Sequence, residues 1–341
     1  MVKAAIAKAP ALRRNTKRIL EALHASGIER HTASLIRESP PLRVLGLDIN
    51  TNSTGYAVLN ENGRVCTWGH IPTAHVQSSD ILGIAHAIDV ALKDVYSSTL
   101  AVHTDNNTRQ VGDLHWHVGI EDFMRMYRFG RFHNKGIFQL AQLNGIVSYA
   151  CWQRFDCPPP VHTHPSAARA FFSIAATKKT KTSARGSETD IKEQVMSFVQ
   201  QQEPHFFVSP LNAERESKHV GNQDAETSIF AKNRHGNFSE AAFDVADAYV
   251  VAAFTRWRHF EAKLLAHPEL IDTFSETYMQ MTIAHAESKT AKKSAKPNAE
   301  ERALLDMGAK AKQTYLQSLF AHGVEEWVKK SHMQLCGGTQ S

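Results

Sequence analysis

The stretch VLGLDINTNSTGYAVLNENGRV, from Val44 to Val65, decides the fold class of this 341-residue chain. Its first six residues, Val44 to Ile49, are short, apolar and strand-like. Gly55 to Leu59 repeats that character, and Arg64 to Ile71 repeats it again beyond Asn60-Glu61-Asn62-Gly63. An Asn-Gly step between two strand-like runs suits a tight turn that needs positive φ, so it marks a hairpin. The region therefore opens on an antiparallel meander of three strands.

Working outward, Ile81, Ile84, Ala85, Ile88, Ala91 and Leu92 recur at helical spacing and predict a helix over 79–97. A strand follows at Trp116–Glu121, then a helix over 135–153, a short strand at Val161–Thr163, and a helix over 190–202 bounded by Pro204. Phe243, Ala246, Val250, Ala253, Phe254 and Trp257 predict a long closing helix to Leu265. A meander followed by strand–helix alternation implies an α/β domain, with a mixed five-stranded sheet and helices on both faces. Three regions result: a basic, helical arm at 1–41, closed by Pro40-Pro41; the α/β domain at 42–265; and a Lys- and Ala-rich helical extension at 266–341. Residues 205–240 and 285–300 read as polar loops, which in a compact domain are functional or disordered. There is no internal repeat.

The bulk properties narrow the class. Formal net charge is +5, mildly basic and compatible with nucleic acid without requiring it. No apolar run approaches a membrane span, so a soluble protein without a membrane partner is expected. The four cysteines form no CxxC pair and suggest neither a zinc site nor a disulfide framework. The first 20 residues hold six Lys or Arg and no acid. That composition fits a mitochondrial presequence, and it also fits a basic arm that stays attached and touches phosphate.

The chemistry-bearing residues are acids. Asp48 lies at the end of an apolar strand, where a carboxylate is costly unless it sits at an edge, is paired, or binds metal. Glu121 ends the fourth strand in the same way. Asp244 and Asp247 stand three residues apart near a helix start, which puts both on one face and in the favourable field of the helix dipole. Each acid alone is usually a turn, cap or solvated first-turn residue; the signal is their order along the chain. Four hard oxygen ligands from three elements suit two divalent cations per site, Mg2+ or Mn2+, which can activate water and stabilise a leaving 3′-oxygen.

With those residues in view, the chain resembles the RuvC-type Holliday-junction resolvases of the RNase H-like superfamily. VLGLDINTNSTGYAVLNENGRV resembles their opening hairpins, VGIEDFM their Glu-bearing strand, and GIFQLAQLNGIVSYACWQ the helix after it. HPSAARAFF with DIKEQVMSFV resembles their post-strand segment, and FDVADAYVVAAF the closing helix with its acidic pair. The resemblance covers most of 42–265 in the correct order. It implies an RNase H-like fold, a homodimer and paired nicks in four-way DNA junctions. It makes Asp48, Glu121, Asp244 and Asp247 the metal ligands and sets Lys192 near the scissile phosphate. The segment from Phe172 to Asp190 is longer than in bacterial members, and both ends carry added regions. Thr16 to Arg37, through Leu20, Leu23, Gly27, Leu35 and Ile36, resembles the SAP-like helix–turn–helix of fungal mitochondrial resolvases, which points to a mitochondrial location.

Two further segments bear on partners. Phe123, Arg125, Tyr127, Arg128, Arg131 and Lys135 interleave aromatics and cations beside Glu121, a pattern that clamps phosphates and stacks on unpaired bases, or else an amphipathic edge. Lys178, Lys179 and Lys181 form a basic loop that either reaches DNA or is simply solvated. The pairs His115/His117 and His162/His164 share strand faces but lack further ligands at informative spacing, so a structural role outweighs a metal site. Three functions follow: a Mg2+-dependent junction-cleaving endonuclease of mitochondrial DNA recombination; an RNase H-fold protein that binds structured RNA without cleaving, such as an organellar ribosome assembly factor; or a nuclease with a different substrate, such as RNA in a hybrid.

Overall fold

The computed structural model describes residues 15–38, 40–106, 114–122, 134–174, 189–207, 229–230, 232, 234, 236–291 and 299–336. Two compact units emerge: one is built on residues 40–256, the other on the residues before 39 together with 257–334.

The first unit holds the sheet. Its strands are β1 (Leu42–Ile49), β2 (Ser53–Asn60), β3 (Val65–Pro72), β4 (His115–Glu121) and β5 (Val161–Thr163), in the order β3-β2-β1-β4-β5. β1 pairs antiparallel with β2, and β2 with β3; β4 runs parallel to β1, and β5 to β4. A parallel step needs a crossover, and α3 (Ile81–Asn106) and α4 (Asn134–Phe155) supply the two required. α5 (Pro165–Phe171), α6 (Thr189–Gln202), a 3-10 turn (Pro204–Phe207) and α7 (Glu240–Leu265) follow.

The expected hairpin turn is present between β2 and β3. The Asn60 side-chain oxygen accepts from the N–H groups of Asn62 (3.0 Å) and Arg64 (2.9 Å), and Gly63 takes φ +80°. Arg256 of α7 is fully buried and donates twice to the Glu61 carbonyl, at 2.7 and 2.8 Å, which ties this turn to the helix.

Strand alternation splits the sheet into two unlike faces. Leu45, Leu47, Val58, Val118 and Ile120 point to one side and pack on Ile84, Ile88 and Leu92 of α3 and Leu143 and Val147 of α4. Each such side chain contributes about 1.5–3 kcal/mol on full burial, so this layer is the main apolar core. Cys151 and Cys157 belong to it; burial pushes the Cys157 thiol up to about 11, so it is a neutral packing group. The opposite face carries Gly46, Gly55 and Gly119, and α7 lies in the trough they leave.

The second unit is helical: α1 (Thr16–Ala25), α2 (Ile28–Glu38), α7 from Trp257 onward, α8 (Pro268–Ala291), α9 (Ala299–Asp306) and α10 (Ala309–Cys336). The N-terminal helices and the C-terminal extension thus share one unit. Gly27, at φ +79°, makes the turn between α1 and α2. Arg18 of α1 donates to the buried Glu301 carboxylate of α9 at 2.9 Å, and a Cβ on Gly323 of α10 would stand 2.6 Å from Ile19.

Three elements differ from the periodicity reading. α3 runs on to Asn106. α8 continues to Ala291, through residues whose polar composition reads as loop but whose Ala, Glu and Lys are good helix formers. α5 is too short for periodicity to reveal; Pro165 starts it and the His164 ring accepts the Ser166 N–H at 3.2 Å. None of the described helices is long and apolar enough to cross a membrane.

Candidate active site

In the parallel pair β1–β4, Gly46 lies opposite Gly119. Asp48 and Glu121 each stand two residues further along. The period of two therefore puts both carboxylates on the glycine face, on neighbouring strands about 4.8 Å apart. Across the antiparallel pair, Gly55 lies opposite Asp48.

α7 crosses β2, β1 and β4 in turn, at distances only glycine allows. A Cβ on Gly55 would be 2.1 Å from the Asp244 carbonyl oxygen, one on Gly46 2.2 Å from the Ala248 oxygen, and one on Gly119 2.0 Å from Thr255 Oγ1. This close seating brings the first turns of α7, with Asp244 and Asp247 on one face, to the strand acids.

The four carboxylates consequently act on one another. Burial, and then repulsion from Glu121, Asp247 and Asp244, pushes Asp48 well above the usual carboxylate range. Burial and the charges of Asp247 and Asp244 push Glu121 up to about 8. Burial also raises Asp247, against the pull of Arg169.

Arg169 of α5 donates to Asp247 Oδ1 at 2.8 Å and opposes the rise at both Asp48 and Glu121. Ser53 donates to Asp244 Oδ2 at 2.5 Å, and His70 Nε2 stands 3.8 Å from the same oxygen. Lys192 lies at the edge: Nζ donates to Glu240 Oε2 at 3.1 Å, stands 5.2 Å from the Phe243 ring centroid, and its charge reaches Asp247.

Arg169, Ser53 and His70 escape the sequence reading. His70 stands opposite Gly55, and on the same face, only because the β2–β3 pairing shifts register at Val58/Leu59; counted on from the Asn60–Gly63 turn without that shift, Gly69 would take its place. Phe123, Arg125, Tyr127, Arg128, Arg131, Lys178, Lys179 and Lys181 lie outside the described residues. Lys135 falls in the first turn of α4. His162 Nε2 is 3.0 Å from Ser148 Oγ and His164 caps α5, so both rings are engaged structurally.

The donor set fits divalent cations. It offers hard, mutually repelling carboxylate oxygens, Asp48 buried and the other three partly buried, with one guanidinium in direct contact. The quartet is an open arrangement; among the described residues, the trio of His, Cys, Asp or Glu ligand atoms all within 4.8 Å of one another lies in the other unit.

Strand order, strand directions and the crossing helix define an RNase H-like fold with helical extensions at both ends. No protein-family model matches the chain, and no curated protein matches it. Among solved structures, it is similar to T. thermophilus RuvC in complex with a Holliday junction substrate, at 12% identity over 65% of this chain and 96% of that one, with a TM-score of 0.33. A second Thermus thermophilus RuvC structure matches at 13% identity, the same coverages and a TM-score of 0.32.

Proposed function

We propose that this protein is a metal-dependent endonuclease that cuts four-way DNA junctions as a homodimer in mitochondrial DNA recombination. The observation that carries the reading is the meeting of Asp48, Glu121, Asp244 and Asp247 on the glycine face of the sheet. The junction as substrate rests on the likeness of the quoted segments to RuvC-type resolvases, and the mitochondrial location on the basic N-terminus.

Asp48, Glu121, Asp244 and Asp247 would hold two Mg2+ or Mn2+ ions, which when bound supply water activation and charge stabilisation at a phosphodiester. Arg169 fixes the Asp247 carboxylate and offsets part of the cluster's repulsion. The Ser53 hydroxyl fixes the Asp244 rotamer. Lys192 puts a positive charge beside the acids, where a phosphate approaches, and phosphate contacts give affinity while junction shape gives selectivity.

The test is cleavage of a synthetic four-way junction against duplex and RNA–DNA hybrid, in Mg2+, by wild type and Asp48→Asn. Symmetric nicks lost in the variant are the expected result; cleavage that survives it rejects the reading. The Arg169–Asp247 ion pair and the open quartet favour a second reading, a protein that binds structured RNA without cutting. Tight RNA binding with no nicking in Mg2+ or Mn2+ would establish that alternative.

A further inference from the structure

We propose that His31, His267 and Glu269 form a separate metal site in the helical unit, one that takes a borderline transition ion of the Zn2+ class. His31 lies in the first turn of α2, His267 in the link between α7 and α8, and Glu269 in the first turn of α8. One ligand atom from each lies within 4.8 Å of the other two. The two imidazoles meet edge to face, with ring centroids 4.6 Å apart.

The chemistry differs from that of the acid quartet. Two imidazoles and a carboxylate select Zn2+, Co2+, Ni2+ or Cu2+ over Mg2+, and three protein ligands leave a fourth position open. A tetrahedral ion with bonds of about 2.1 Å holds its ligands roughly 3.4 Å apart. Both histidines are half-buried and Glu269 is exposed, so small side-chain rotations close the trio.

The ligands are also free to bind. No described residue hydrogen-bonds the His31 ring or pairs with the Glu269 carboxylate. The Leu270 N–H reaches His267 Nδ1 only at 3.4 Å, the weak end of the range. Burial and the neighbouring His267 hold His31 below the usual imidazole range, with Arg30 acting the same way and Glu269 opposing. An ion here ties α2 to the start of α8, segments far apart in the chain, inside one compact unit.

The experiment is calorimetric titration of the EDTA-stripped, dialysed full-length protein with Zn2+ alone. His31→Ala and His267→Asn are compared with wild type; Asn retains an oxygen for the Leu270 N–H. Losing an outer-shell partner weakens metal binding about 10- to 100-fold, and losing a ligand costs no less. A tight Zn2+ step at least about tenfold weaker in both variants, and unchanged in Asp48→Asn and His162→Ala, is the expected result. The visible absorption of bound Co2+ should disappear with the same two variants. An unchanged isotherm in them, absence of a tight step in wild type, or loss of that step in Asp48→Asn or His162→Ala overturns the proposal.

Discussion

The Cβ position of Gly55 stands 2.1 Å from the carbonyl oxygen of Asp244, so a strand glycine sets how closely the helix bearing two acids approaches the strand bearing a third. The oxygen belongs to helix backbone and cannot turn aside. Gly55→Ala must therefore push α7 outward. Overpacking of this kind costs about 1–3 kcal/mol. The expected outcome is a lower melting temperature together with a junction-cleavage defect greater than the loss of folded protein explains. Parallel thermal melts and cleavage rates check it; wild-type cleavage at a reduced melting temperature would show that the approach does not position the acids.

Metal-free protein should lose stability as pH rises. Burial lifts Glu121 from its ordinary value to about 8, and Asp48 and Asp247 are raised as well. Groups that hold protons more tightly folded than unfolded contribute stability that is complete below the unfolded pKa and is lost as pH climbs through the folded one. For Glu121 that window runs from the ordinary glutamate range to about 8. The slope there is at most about 1.4 kcal/mol per pH unit for one group. Urea midpoints in EDTA should fall across the window, Asp48→Asn should flatten the fall, and Mg2+ should restore stability. Midpoints that rise with pH in EDTA would contradict the cluster's electrostatics.

Arg169→Met removes the guanidinium that contacts Asp247. Leaving a buried acceptor without its partner costs about 1–3 kcal/mol. The metal-free variant should unfold at correspondingly lower urea, increasingly so as pH rises towards the value of about 8 at which Glu121 ionises, and added Mg2+ should recover part of the difference. A variant as stable as wild type in EDTA would show that Arg169 does not offset the quartet.

Lys192→Met keeps the length of the side chain but removes its charge. Removing a positioned donor from a transition state costs about 10²–10³ in kcat. Lys192 pairs with Glu240 and stands beside the carboxylates, so the loss should fall below that, roughly tenfold to hundredfold. Junction-cleavage kinetics separate kcat from KM, and Lys192→Arg should recover part of the rate. A change in KM alone would place Lys192 in binding only.

The strands, the helices that cross between them and the ordered series Asp48, Glu121, Asp244, Asp247 were readable in the sequence. Periodicity is a local record of which face of an element is buried, and an acid ending an apolar strand departs from that record visibly. The paired Gly46-x-Asp48 and Gly119-x-Glu121 already imply that both carboxylates share a face once β1 and β4 are known to pair. Arg169 and Ser53 were not readable. Arg169 meets Asp247 from 78 residues away and Ser53 meets Asp244 from 191, and neither carries a pattern that announces its partner. His31 and His267 likewise meet only because the N-terminal and C-terminal helices pack into one unit. Ion pairs and ligand sets depend on distance through space, which local burial patterns do not encode, so these contacts were decided by the tertiary structure alone.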